Sequence, residues 1–140
     1  MFTPESRQIV LEQLREMLQH VSNVEGIILV GSGANGFPDR WADIDVSVVV
    51  HPDEKTYATW QKVHEKVQCD SDPILWGATE YEDQSYLSLF VLNGFLEIDI
   101  GVISLSKLIA KKKNWQILFD KDGKVENKMN TSNPAAPKIP

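Results

Sequence analysis

The chain is short of several things that whole classes of protein need. Cys69 is its only cysteine, which excludes an intrachain disulfide and a cysteine-rich zinc site. No apolar run approaches the roughly 20 residues that span a bilayer. The N-terminus, MFTPESRQ, lacks the basic-then-apolar pattern of a signal peptide, so the expectation is a cytoplasmic protein. Basic charge is also scarce: 14 Lys and Arg against 20 Asp and Glu leave a net charge of −6, which speaks against a broad phosphate-backbone footprint. His20, His51 and His64 are scattered without metal-ligand spacing.

What is present suits one globular domain of 140 residues with 42% apolar content. Thr3-Pro4-Glu5 is a helix start, with Thr3 as N-cap, proline at the first helical position and an acid in the first turn. Val10, Leu14, Met17, Leu18 and Val21 then recur at helical spacing, which predicts an amphipathic helix to about His20. Gly26 is read as a break before the apolar run Ile27 to Val30, a buried central strand ending at Gly31. A second strand from Asp43 to Val50 alternates Asp43, Asp45 and Ser47 with Ile44, Val46, Val48 and Val50. His51-Pro52-Asp53 opens a second helix whose Tyr57, Trp60, Val63 and Val67 form an inward stripe.

Between Asp70 and Asp83 lie five acids and no base, with Pro73 to Trp76 as a strand inside the segment. Ser85 to Val91 and Phe95 to Ile103 read as a hairpin closed at Asn93-Gly94. Leu96, Ile98, Ile100 and Val102 face one way there, and Glu97, Asp99 and Gly101 the other. Ser104 is expected to cap a short helix through Leu108, Ile109 and Ala110, with Lys111, Lys112 and Lys113 in its last turn. Trp115 to Phe119 is a last strand, closed by the Asp122-Gly123 turn. The expected division is a catalytic domain over 1–126 and a polar, proline-rich tail or linker over 127–140.

Two nucleotide fingerprints overlap in the stretch from Gly31 to Val50. Gly31, Gly33 and Gly36 spell the glycine pattern of dinucleotide-binding folds. A crossover helix of about a dozen residues must follow in that fold. Pro38 comes almost at once and the next strand begins near Asp43, so no such helix fits. The glycines still let backbone amides approach phosphate oxygens. The second fingerprint is Asp43 and Asp45, two carboxylates on one strand face roughly 6.5 to 7 Å apart at the alpha carbons. Such a pair suits magnesium, which prefers hard oxygen ligands and substrate phosphates.

Gly31-Ser32, ten residues, Asp43-Ile44-Asp45 and a later carboxylate in Leu96-Glu97-Ile98-Asp99-Ile100 resemble the nucleotidyltransferase superfamily of polymerase beta type. The chain is similar to its minimal nucleotidyltransferases and antibiotic adenylyltransferases; ILFDKDGK also resembles the segment preceding the helical second domain of the latter. The resemblance implies an α/β (α+β) fold, a mixed, mostly antiparallel twisted sheet flanked by helices. It implies that Asp43, Asp45 and Asp99 are catalytic and bind two magnesium ions, with Glu97 as the reserve candidate for the third position. It implies that Gly31, Ser32 and Gly33 hold the triphosphate of ATP or another nucleotide, with Arg40 as a further phosphate contact. Many members carry a basic residue soon after the glycine-serine pair, and this chain does not.

The function so implied is transfer of a nucleoside monophosphate, most simply AMP from ATP, to a hydroxyl of a small molecule. An aminoglycoside-like polycation would suit the acidic segment from Asp70 to Asp83. The alternative is an antitoxin that attaches AMP to a tyrosine of a partner toxin protein. A third reading is a catalytically silent nucleotide-binding module.

Overall fold

The computed structural model describes residues 4–31, 43–109 and 115–132. Helix α1 (Pro4–Leu18) leads to strand β1 (Val24–Val30), and β2 (Ile44–Val50) follows. A single 3-10 turn, Asp53–Lys55, precedes α2 (Thr56–Ser71), and then come β3 (Leu75–Glu80), β4 (Tyr86–Leu92) and β5 (Leu96–Ser104). A second 3-10 turn, Leu105–Lys107, stands where the short helix was expected; Ala110 and Lys111 to Lys113 lie outside the described residues. Strand β6 (Trp115–Asp120) and helix α3 (Lys124–Ser132) complete the chain.

The six strands form one sheet in the order β3-β4-β5-β2-β1-β6. Four of its pairings are antiparallel, and β2 with β5 is the single parallel pair. That pairing is possible because α2 and the β3-β4 hairpin lie between the two strands and supply the long crossover that parallel neighbours require. The expected mixed, mostly antiparallel sheet with flanking helices is therefore the observed fold.

Alternation decides what each face does. Ile44, Val46, Val48 and Val50 of β2 join Ile98, Ile100 and Val102 of β5 in the main core, under Leu11, Leu14 and Leu18 of α1 and Val63 and Val67 of α2. Full burial of such side chains stabilises the fold by about 1.5 to 3 kcal/mol each, before conformational entropy is counted. The opposite face carries the acids at one end and a smaller core at the other. There Ile28 and Val49 pack against Leu108 and against Val125 and Met129 of α3.

Four expectations change in detail. Strand β1 begins at Val24 and runs through Gly26, whose missing side chain makes room for α3: a Cβ there would sit 2.5 Å from Val125 Cγ2 and 3.0 Å from the Phe119 carbonyl. Strand β3 starts later than expected and reaches Glu80. Tyr57 is 45% exposed, so it lies at the rim of the α2 stripe and not within it. The unpacked segment expected from Asn127 is helical to Ser132, because Val125 and Met129 stand one turn apart on a single buried face. Among the described residues no helix is long and apolar enough to cross a membrane.

Candidate active site

The site is a product of register. In the parallel ladder Asp45 stands opposite Asp99 and Ile44 opposite Ile98, so Asp43 flanks Glu97 one step earlier. Because every second side chain shares a face, two rungs of carboxylates, Asp43 with Glu97 and Asp45 with Asp99, project from the same side. Carboxylate oxygens of Asp43, Glu97 and Asp99 all lie within 4.8 Å of one another. Glu97 is thus as much a part of the cluster as Asp43.

Gly31 closes the array on the β1 side. Its φ of +73° is a left-handed conformation that favours glycine, and a Cβ there would meet Asp45 Oδ2 at 3.1 Å. The glycine therefore lets the chain turn while the carboxylate comes close to the backbone. Ser32, Gly33 and Arg40 lie outside the described residues.

Electrostatics mark the cluster as a place for positive charge. Burial, followed by the carboxylates of Asp45 and Glu97, pushes Asp99 up to about 8. Burial and the neighbouring Glu97 raise Asp43 as well. Asp99 Oδ1 is buried without a hydrogen-bond partner. Close carboxylates in a partly dry site relieve their repulsion by taking a proton or a cation. An all-oxygen donor set with an unpartnered buried oxygen fits a hard divalent ion such as magnesium.

Among the described residues one cation acts on the cluster from the protein side. Arg7 of α1 is buried, and its charge opposes the rise of the Asp43 pKa. Arg7 escaped the reading of the sequence, although it continues the buried α1 stripe of Leu11, Leu14 and Leu18 at helical spacing. A charged residue at a core position of a stripe is the signal that identifies it.

Next to the acids, on the same face, lies a cavity of about 290 Å³. Ser47 and Gly101, two residues beyond Asp45 and Asp99, line it together with Val30, Leu87, Ile109 and Trp115. The Trp115 indole N–H is buried and lacks an acceptor. The cavity is largely apolar.

The model of the nucleotidyltransferase domain matches residues 9–126 of the sequence. The chain belongs to the nucleotidyltransferase domain family. Among solved structures this nucleotidyltransferase domain is similar to Cid1 poly(U) polymerase with MgGTP bound, at 14% identity and a TM-score of 0.60, over 71% of this chain and 32% of that one. It is also similar to a cytoplasmic RNA terminal U-transferase, at 17% identity and a TM-score of 0.56, over 71% and 30% of the two chains. At such identities the likeness speaks for the fold alone. The domain spans about a third of the length of these structures. No curated protein matches the sequence.

Proposed function

We propose that this nucleotidyltransferase domain moves a nucleoside monophosphate, most simply AMP from ATP with release of pyrophosphate, onto a hydroxyl. The observation that carries this reading is the parallel register of β2 and β5, which sets Asp45 beside Asp99 and Asp43 beside Glu97 on one face. Asp43, Asp45 and Asp99 would hold magnesium, with two ions expected, and Glu97 adds a fourth oxygen donor from the neighbouring strand. When bound, the metal supplies charge neutralisation at the phosphates and lowers the pKa of the attacking hydroxyl. Asp99 would also help to remove the proton of that hydroxyl. Gly31, with Ser32 and Gly33 beyond it, would offer backbone amides to the triphosphate, and Arg40 a guanidinium. We take 1–126 as the catalytic unit and 127–140 as a tail or linker, with α3 straddling the boundary.

The cavity bears on the acceptor. None of the described residues that line it is an Asp or Glu, so an aminoglycoside-like polycation finds no acidic partner among them. A hydroxyl on an uncharged, largely apolar body fits the cavity better. The same feature favours the second reading, AMP attachment to a tyrosine of a partner toxin protein, because a phenol ring is such a body. An RNA 3′ hydroxyl, by analogy with the similar RNA terminal U-transferase, has the net charge of −6 against it.

Incubation with ATP labelled at the alpha phosphate, magnesium and a panel of acceptors tests the proposal. The panel contains small phenols, an aminoglycoside, a short RNA and a helical toxin protein. Label is expected on a hydroxyl acceptor and is expected to vanish with chelator. Nucleotide binding without transfer to any acceptor, or with any of the four nucleotides, would make the domain a silent binding module.

A further inference from the structure

The two edges of the sheet are finished differently. β6 is half-buried under α3, whereas β3 exposes side chains on both faces along almost its whole length. Ile74, Leu75 and Trp76 are 56%, 60% and 49% exposed. Among the described residues β3 pairs with β4 alone, so one row of its backbone groups has no strand beside it. Alternation identifies the row. The Tyr81 N–H donates to the Ser85 carbonyl at 2.9 Å, which places Leu75, Gly77 and Thr79 among the residues bonded to β4. Trp76, Ala78 and Glu80 therefore turn their N–H and C=O groups outward.

The side chains of those outward residues share a face with α2. Trp76 and Ala78 border a hollow of about 260 Å³ whose other walls include Tyr57, Trp60 and His64. The His64 ring meets Trp76 edge-on at 4.9 Å. An added strand would place every second side chain over this aromatic hollow.

Charge selects the occupant. Asp70, Asp72, Glu80, Glu82 and Asp83 surround the edge, with no Lys or Arg between residues 70 and 83. Two of these already have partners: Lys66 pairs with Asp70 at 3.2 Å, and the Ser85 hydroxyl donates to Asp83 at 2.5 Å. The Lys107 ammonium reaches the Asp83 carbonyl. Asp72, Glu80 and Glu82 remain exposed at the two ends of the strand. A second copy pairing about Ala78 would bring both acidic sets together, which like charges oppose. Natural edges are commonly protected with lysine or proline against pairing, and β3 has neither.

We propose that β3 is a docking edge for a protein partner that adds an extended, basic segment alternating with apolar residues. Its backbone would pair with Trp76, Ala78 and Glu80, an apolar side chain would enter the hollow between α2 and β3, and its Lys or Arg side chains would meet Asp72, Glu80 and Glu82. This mode joins main-chain affinity to side-chain selection. It does not depend on nucleotidyl transfer.

The test uses the full chain with two synthetic peptides of strand length, one alternating lysine with valine and the other glutamate with valine. Backbone amide exchange is followed by NMR. The lysine peptide is expected to bind and to protect the amides of Trp76, Ala78 and Glu80, while the glutamate peptide does neither. Ala78→Pro removes one outward donor, a change edge strands tolerate, and should weaken binding by about tenfold with Tm unchanged. The pair Glu80→Lys and Glu82→Lys leaves the β4 ladder intact, serves even where the proline variant fails to fold, and should shift preference to the glutamate peptide. Equal binding of both peptides, protection elsewhere, or an unchanged preference in the lysine variants would overturn the proposal. So would dimerisation of the chain through the same amides, seen by sedimentation.

Discussion

The two faces of β2 and β5 are made by the same strands and do opposite things. On one, Ile44, Val48 and Ile100 are wholly buried under the helices. On the other, four carboxylates are gathered, and burial, followed by their mutual repulsion, raises Asp99 and Asp43 above their ordinary range. The first face accounts for stability and the second works against it. Strand alternation lets both coexist, since each acid is flanked in sequence by residues that hold the strand down.

This contrast can be broken from either side. The largest expected effect is on activity: Asp45→Asn should lower transfer on the order of 10³-fold by removing a ligand, while the Tm stays within a few degrees. Near-normal turnover would remove Asp45 from the site. On the opposite face of the same ladder, Ile100→Ala should cost about 2 to 5 kcal/mol of unfolding free energy, read by urea denaturation. A smaller loss would mean that the core does not hold the acids in place.

Asp99→Asn joins the two effects. A carboxyl whose folded pKa lies above its unfolded value contributes stability when protonated, and that contribution is lost as pH rises from about 4 towards about 8. The metal-free Tm of the wild type should therefore fall across that window relative to Asp99→Asn, which should be the more stable protein at pH 8 and the less active one. Parallel pH profiles for the two proteins would show that Asp99 carries no such burden.

The smallest effect concerns His64, on the helix-covered side. The Ser88 hydroxyl lies 2.7 Å from its Nδ1 and also accepts the Trp60 N–H at 2.8 Å. Burial lowers the His64 pKa, so the folded state prefers the neutral ring. Stability is then complete above about pH 6.5 and declines as the pH falls below it. A His64→Gln variant should lose that part of the acid decline, seen in Tm between about pH 7 and pH 5.

Much of this could be read from the sequence because local patterns carried it. The alternation of β2 and the Asn93-Gly94 hairpin are both short-range signals, and the structure has them. What escaped depends on contacts distant in sequence. Glu97 stood in reserve because only the parallel register with β2 shows that it neighbours Asp43. Gly26 looked like a break, yet it lies inside β1 because α3 crosses over it nearly a hundred residues later. The polar composition after Asn127 hid a helix held by two apolar residues, Val125 and Met129. Arg7 was hidden for the opposite reason, as a charge on an otherwise apolar stripe.

The proposed function requires the carboxylates of Asp43, Asp45, Glu97 and Asp99 to bind a divalent cation. Manganese, used in place of magnesium, reports on this directly through the loss of the free-ion paramagnetic resonance signal as it binds. With a non-hydrolysable ATP analogue present, the account predicts saturable binding to the wild type, and binding weakened by at least about tenfold in Asp45→Asn and Asp99→Asn. Equal manganese binding by the wild type and both variants would contradict it.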